Sequence, residues 1–297
     1  MRYMDSASLV SKLMLLELPL VETILVAGLC GVVGVLAILR RRVFFTQALT
    51  HATFPGAIIG VVLVGAGVFG AELANNPRAL TLAIFIGATL ACIPMAWGMG
   101  RLQKVPGQSP EAVSGVLLTF GFALGYFLAK WFAPLPLKVA SFLTGKLLNV
   151  NGMDIIWSGS ALVVAALVAF TMGRQIVAAC FDEVGFQARG GNLWLVDAAI
   201  YLLIGVTVVV CLPAVGSVLA IGLIAGPAAG MARLIPEART LLWVAPIWAI
   251  ICALIGLMLG VVMNLSTGGM IAILSAIGYL LPAGISWIKT RRGLARI

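Results

Sequence analysis

Long apolar runs, separated by short polar segments, repeat along the whole sequence. Each run holds about 20 residues, enough for a helix to cross a hydrocarbon layer of about 30 Å. Segments 79–99 and 240–262 are continuously apolar, whereas a membrane β-strand alternates apolar and polar residues. The pattern predicts an all-α integral membrane protein with about nine transmembrane helices. The spans are predicted at 19–39, 51–71, 79–99, 112–132, 154–172, 193–212, 214–233, 240–262 and 267–288.

Composition supports a membrane protein and excludes several other classes. Hydrophobic residues make up 62% of the chain and charged residues 10%, whereas soluble domains carry about 25% charged residues. Five scattered cysteines form no C-x-x-C pair, so neither a disulfide framework nor a zinc finger is expected. The chain is predicted to comprise an N-terminal segment, 1–18, and one transmembrane domain, 19–297.

The net charge of +9 reflects membrane topology, and no nucleic-acid partner is expected. Thirteen of the 19 basic residues fall in loops or a tail on one side of the predicted spans, and such residues mark the cytoplasmic side. The N-terminal segment is therefore expected outside and the C-terminus in the cytoplasm. Alternation of the loops favours nine spans over eight. The thirteen residues are Arg40, Arg41, Arg42, Arg101, Lys104, Arg174, Arg189, Arg233, Arg239, Lys289, Arg291, Arg292 and Arg296.

Two segments do not fit simple spans. Residues 134–149 are too short and too polar to cross a membrane and too apolar for a solvated loop, so an outer half-helix is predicted. Residues 174–191 form the longest polar stretch and are predicted to hold a short amphipathic helix below the membrane. Glycines four residues apart, such as Gly56 and Gly60, favour close helix packing within the chain, with a dimer contact as the alternative.

Few side chains could carry chemistry. The chain has one histidine, and its nearest approach to a phosphate loop, Gly145-Lys146, is followed by Leu147 where that loop needs Ser or Thr. An enzyme is therefore not expected, no cofactor is predicted in this chain, and any ATP would be hydrolysed by another polypeptide.

His51 and Gln47 lie one helical turn apart and so share a helix face. Imidazole is the commonest protein ligand for metals such as zinc, although a lone histidine can equally serve packing between helices. One chain supplies too few ligands, so a site would need a second copy or other residues. The acidic residues Glu22, Glu72 and Asp154 fall at the outer side. Asp197, inside an apolar run near the cytoplasmic end, is expected to be an interfacial or arginine-paired carboxylate.

Four blocks, in order, resemble the bacterial manganese/zinc (iron-chelate) ABC transporter permease family. RRRVFFTQALTHATFPGAIIG, at 40–60, is similar to the N-terminal signature of the family. SFLTGKLLNV, at 141–150, is similar to its outer half-helix motif, and FDEVGFQARGG, at 181–191, to its cytoplasmic coupling segment. VGSVLAIGLIAGPAAGMARL, at 215–234, resembles its late helix. Together the blocks cover almost the whole chain.

The resemblance implies the permease subunit of an importer for divalent metal ions (manganese, zinc or iron) in the bacterial inner membrane. It implies a homodimer surrounded by membrane lipid, a cytoplasmic ATP-binding subunit and an extracytoplasmic metal-binding protein. Two departures put the choice of metal in question: Gln47 stands where the family often has an acidic residue, and Lys146 where it often has Asp. His51 and Gln47 become candidates for the metal pathway, and the candidates for ATPase coupling are Phe181, Asp182, Glu183, Phe186, Arg189 and Gly190.

Two other functions compete with this interpretation. A secondary transporter would use broken helices and internal repeats around midplane ion sites, but no convincing repeat and few central acidic residues are visible. A membrane enzyme or structural anchor is the third possibility, and the lack of a clustered polar site weighs against the enzyme.

Labelling of single cysteines tests the predicted topology. In a background without the five native cysteines, Gln187→Cys should react only with a membrane-permeant reagent, because Arg174 and Arg189 hold the segment on the cytoplasmic side. Leu265→Cys, predicted outside, serves as the matched control and should react with an impermeant reagent. Labelling of Gln187→Cys by the impermeant reagent in intact cells would invert the topology.

Overall fold

A computed structural model describes residues 16–66, 77–103, 105–134, 147–214 and 216–294. Every regular element within these ranges is helical: ten α-helices and one 3-10 turn, Leu147–Asn149. The α-helices are α1 (Glu17–Leu39), α2 (Val43–Gly65), α3 (Pro77–Leu102), α4 (Pro110–Trp131), α5 (Gly152–Phe181), α6 (Glu183–Ala188), α7 (Leu193–Ala214), α8 (Ser217–Ala232), α9 (Ala238–Val262) and α10 (Thr267–Leu294).

The helices confirm the predicted fold class. Among the described residues, eight helices are long and apolar enough to cross a membrane. The seventh predicted span, 214–233, is occupied by α8, which is apolar but has only 16 residues. At 1.5 Å per residue α8 is about 24 Å long, shorter than a typical hydrocarbon layer. Most of the predicted outer half-helix, residues 135–146, lies outside the described residues.

Two helix boundaries differ most from the prediction. The second span was expected to begin at 51, but α2 begins at Val43. Hydroxyl groups in this polar stretch donate to carbonyl oxygens of their own helix: Thr50 to Gln47 at 2.7 Å and Thr53 to Thr50 at 2.6 Å. The hydroxyl groups thus have hydrogen-bond partners within the helix, and hydropathy alone underestimates how readily such a stretch is helical. The fifth span was expected to end at 172, but α5 continues to Phe181.

Helices α1 and α2 form the centre of the bundle. In each, 72% of the most apolar 18-residue window is buried, against 17–44% in the other long helices. Helix α1 contacts α5, α7, α8 and α9, and α2 packs against α3 and α4. The outer helices expose large apolar side chains, including Phe170 at 86% and Trp243 at 72%. Such a surface fits hydrocarbon and not water.

Glycines bring the central helices into backbone contact with their neighbours. A Cβ added at Gly56 of α2 would lie 2.3 Å from the carbonyl oxygen of Gly87 in α3, and one at Gly60 would lie 2.1 Å from the oxygen of Ala83. Both glycines therefore serve packing within one chain, which confirms the preferred interpretation of this spacing.

Polar contacts place alternate loops at one end of the bundle. Arg40, after α1, contacts Glu183 between α5 and α7, and Arg42 donates to Gln103 at the end of α3. At the opposite end, Ser158 near the start of α5 donates to Glu22 near the start of α1. This agrees with the alternation deduced from the basic residues, while the orientation of the bundle stays a prediction.

Substitution of Gly56 tests the close contact between α2 and α3. Gly56→Ala should destabilise the protein by about 1–3 kcal/mol, because the added methyl group meets backbone that cannot rotate away. Gly98→Ala in α3 is the matched control, since no heavy atom lies within 4 Å of its added Cβ, and it should be neutral or slightly stabilising. Thermal unfolding of the purified proteins in detergent measures both, and equal midpoints would contradict the packing argument.

Candidate functional site

His51 lies well inside helix α2 and not at its beginning. It follows Val43, the first residue of the helix, by eight positions, which corresponds to about 12 Å along the helix axis. The earlier start of α2 thus places the histidine about two turns inside the helix and not at its end.

Gln47 and His51 are the two residues of 45–58 in α2 that are not buried. Both are half-buried, and exposed Phe44 and Ile59 flank this stretch at its two ends. We call Phe44, Gln47, His51 and Ile59 the α2 stripe. Gln47 and His51 are therefore the positions in this stretch that a ligand or another chain could reach.

The His51 ring makes one aromatic contact. Its ring centroid lies 5.5 Å from that of Phe122 in α4, edge to face, and Phe122 stacks on Phe54 at 6.3 Å. No residue that the structure describes forms a hydrogen bond with the imidazole. The contact with Phe122 orients the ring, and the nitrogen atoms stay available to a ligand.

One chain does not assemble a complete metal site among its described residues. No group of three or more His, Cys, Asp or Glu side chains converges in those parts of the chain. Gln47 and His51 together offer two ligands, whereas zinc in proteins usually has four. Beyond them the face is apolar: a cavity of about 710 Å³ between α2, α3 and α4 is lined by residues such as Pro55, Ile59 and Leu90.

Among the acidic residues predicted at the outer side, those that the structure describes have structural roles. Glu22 is buried and accepts a hydrogen bond of 2.5 Å from Ser158, leaving its second carboxylate oxygen without a partner. Asp154 caps α5 by accepting a 2.9 Å hydrogen bond from the backbone of Asn151. Glu72 lies outside the described residues. None of these contacts brings an acidic residue to the α2 stripe.

The predicted coupling segment, 174–191, divides into two parts. Its first half continues α5, and its second half forms the six-residue helix α6. Asp182 caps α6 by accepting a 2.8 Å hydrogen bond from the backbone of Gly185. Gly190 ends the helix with φ +82, a conformation that glycine adopts without strain. Asp182 and Gly190 therefore define the two ends of the short helix.

Phe186 was expected to face the ATPase subunit, but in the structure it faces this chain. That ring packs against the hydrophobic core and closes over Gly191, where an added Cβ would lie 2.5 Å from a ring carbon. By contrast, Val184 is 80% exposed and Phe181 70% exposed. Sequence reasoning did not select Val184, although Val184 and Phe186 are two residues apart in one helix and therefore point to nearly opposite sides.

The charged candidate residues of this segment differ in their ion-pair partners. Arg189 is exposed and lies 3.8 Å from Asp182, a surface pair that contributes little. Glu183, in contrast, forms an ion pair with Arg40. Arg40 was selected only as a topology marker and not as a functional residue.

Arg40 also binds Asp197 in the first part of α7. The Nε atom donates to one carboxylate oxygen at 2.7 Å and a terminal nitrogen to the other at 3.2 Å, which confirms that Asp197 is paired with an arginine. Burial alone would lower the pKa of Arg40, but hydrogen bonds and charges from Asp197, and then from Glu183, raise it. The guanidinium therefore stays charged.

The base of α2 is linked to α7 as well. Phe45 packs on Tyr201 with ring centroids 4.4 Å apart, and the Arg42 guanidinium lies 5.6 Å from the Tyr201 ring centroid. Arg42 also donates a 2.6 Å hydrogen bond to Gln103. Helix α7 thus touches both the ion-pair region and the start of the helix that carries Gln47 and His51.

Comparison with known proteins gives consistent results. The chain is 26% identical over 262 residues to the manganese transport system membrane protein MntC of Halalkalibacterium halodurans, covering 88% of this chain and 84% of the relative. It is 26% identical over 245 residues to the zinc transport system membrane protein TroC of Treponema pallidum, covering 82% of this chain and 79% of the relative.

The fold also matches a solved structure. PsaBC from Streptococcus pneumoniae, in complex with a Fab, contains a chain that superposes with a TM-score of 0.77 at 21% identity, covering 94% of this chain and 95% of that chain. The model of the ABC 3 transport family matches residues 13–285, which is nearly the full length. Because this match covers well over half of the chain, the chain belongs to the ABC 3 transport family.

Proposed function

We propose that this chain is the membrane-spanning permease subunit of an ABC importer for divalent metal ions, with manganese, zinc or iron as the transported substrate. The observation that carries the proposal is the family match over residues 13–285. Relatives named as manganese and zinc transport system membrane proteins support a metal ion as the substrate. Membership of an ABC family also makes a secondary transporter the weaker alternative.

The incomplete site on α2 supports a homodimer. Gln47 and His51 form a half-buried pair on the α2 stripe. Two copies related by a two-fold axis would bring four ligands together. A neutral imidazole accepts a divalent ion readily, while the amide of Gln47 adds an oxygen without a charge. The pathway in this proposal runs between the two copies, past His51.

The remaining partners follow from the same proposal. A separate cytoplasmic subunit would hydrolyse ATP, and an extracytoplasmic protein would deliver the metal to the outer side. Exposed Phe181 and Val184 would seat in a groove on the ATPase subunit, with Arg189 at the charged rim, while Glu183 is engaged by Arg40 within the chain. The chain would lie in the bacterial inner membrane, with its N-terminus outside and its C-terminus in the cytoplasm.

Substitution of His51 tests the metal pathway. His51→Ala should abolish uptake of the metal while leaving assembly intact, because the imidazole forms no hydrogen bond with a described residue and its one aromatic contact is with Phe122. His51→Gln should restore little, since a neutral amide is a poorer ligand than imidazole. Uptake of manganese, zinc and iron is measured one metal at a time in cells that lack the wild-type protein.

A control separates this effect from general damage to the bundle. Thr89→Ala removes a polar group from an exposed face of α3, where the hydroxyl bonds only to its own helix, and should leave uptake unchanged. Wild-type uptake by a well-expressed His51→Ala variant would make His51 a packing residue and remove it from the pathway.

Substitutions at two positions of α6 test the proposed docking surface and should have different effects. Val184→Asp should leave the amount of protein in the membrane unchanged but abolish co-purification of the ATPase subunit, because it places a charge in a desolvated contact worth about 2 kcal/mol or more. Phe186→Asp should lower the amount of protein itself, because that ring packs against the core.

Val105→Asp provides the matched control for docking. Val105 is 47% exposed in the loop after α3, on the same predicted side, and its substitution should affect neither accumulation nor co-purification. Undiminished ATPase binding by Val184→Asp would show that docking does not use this surface.

A further inference from the structure

A single buried side chain joins four helices at the end of the bundle that carries α6. Arg40 follows the last residue of α1, and only 8% of its side chain is exposed. It forms four hydrogen bonds: two to Asp197 in α7, one to the carbonyl oxygen of Ala179 in α5, and one to Glu183 in α6. No other described cation has two carboxylate partners.

The geometry divides the guanidinium into two functional edges. Nε and one terminal nitrogen face Asp197 in a two-pronged pair, while the other terminal nitrogen faces Ala179 and Glu183. The planar fork of arginine allows this arrangement, whereas the single charged nitrogen of lysine does not. The Asp197 side chain is 26% exposed and that of Glu183 is 55% exposed. The pair with Asp197 is therefore the better protected, and the pair with Glu183 is the more easily exchanged.

Helix α6 depends on such contacts for its position. It has six residues, none of them buried, and an isolated helix of that length is not stable in water. At its first residue it is held by Glu183 on Arg40, and at its middle by Phe186 on the core. Any displacement of α6 must either move Arg40 with Glu183 or break that pair.

We propose that Arg40 is a positioning residue that transmits movement of α6 to the transmembrane helices α1 and α7; this rests on the proposed role of the α6 segment in docking the ATPase. Asp197 fixes the guanidinium to α7, and the backbone of Arg40 continues α1, so a pull on Glu183 acts on both helices. One turn beyond Asp197, Tyr201 packs on Phe45 at the base of α2. The same movement therefore reaches the helix that carries Gln47 and His51.

The experiment measures metal transported per ATP hydrolysed by the complete complex in proteoliposomes. Arg40→Gln and Glu183→Gln should each lower this ratio about tenfold while the ATPase subunit still co-purifies and still hydrolyses ATP. The double variant should be no worse than Arg40→Gln, because Arg40→Gln already removes the ion pair with Glu183. Arg40→Lys should fall between wild type and Arg40→Gln. A purely structural ion pair would lower the amount of protein but not the ratio.

Arg41→Gln is the matched control. Arg41 is the adjacent, exposed arginine, it forms no ion pair with a residue of the described ranges, and its removal should leave the ratio unchanged. If Arg40→Gln fails to accumulate, Glu183→Gln decides alone, because it leaves the Arg40–Asp197 pair in place and alters only an exposed carboxylate. An unchanged ratio in Glu183→Gln, multiplied effects in the double variant, or an equal loss in Arg41→Gln would overturn the inference.

The proposed function fails in a different way. A wild-type complex with no ATP-driven metal uptake would overturn the proposed function and the role of Arg40 together. Normal wild-type uptake with unaffected Arg40 and Glu183 variants would overturn the role of Arg40 alone.

Discussion

Backbone contact at small residues determines how α1 sits among its neighbours. Between helices in lipid there is little hydrophobic driving force, so close packing supplies the attraction. A Cβ added at Gly34 would lie 2.0 Å from the carbonyl oxygen of Ile224 in α8, and one at Gly31 would lie 2.4 Å from Pro246 Cα in α9. These approaches hold α1 in the middle of the bundle. Arg40, which follows α1, therefore lies at the junction of α5, α6 and α7, where it binds the carboxylates of Glu183 and Asp197.

The sequence predicted those features that depend on hydropathy and charge along the chain. In the part of the chain that the structure describes, each predicted span is largely helical, and Asp197, whose charge needs a partner inside an apolar run, pairs with Arg40. The start of α2 was missed because it lies in a polar stretch. The hydroxyl groups of Thr50 and Thr53 donate to carbonyl oxygens of their own helix, so this stretch is helical despite its polarity. A hydropathy pattern does not contain that information.

The side that α6 presents to the core could not be predicted either. Phe181, Val184 and Phe186 are all apolar and lie within six residues, so composition favours each of them equally as a docking anchor. Tertiary packing decides among them: the ring of Phe186 fits over Gly191, whereas Val184 is left exposed. Similarly, Arg40 differs from Arg41 and Arg42 only through the side chains that the fold brings to it.

Helix α7 connects the two regions that the sequence singled out separately. Asp197 and Tyr201 are one turn apart and share a helix face; the first binds Arg40, and the second packs on Phe45 and lies beneath Arg42. Phe45 and Gln47 in turn belong to the first turns of α2. Packed helices move as rigid bodies more readily than they deform, so a shift of α7 changes the ion-pair junction and the base of α2 together. Direct contacts through α7 therefore connect the base of α2 with the short helix α6, although the two are widely separated in sequence.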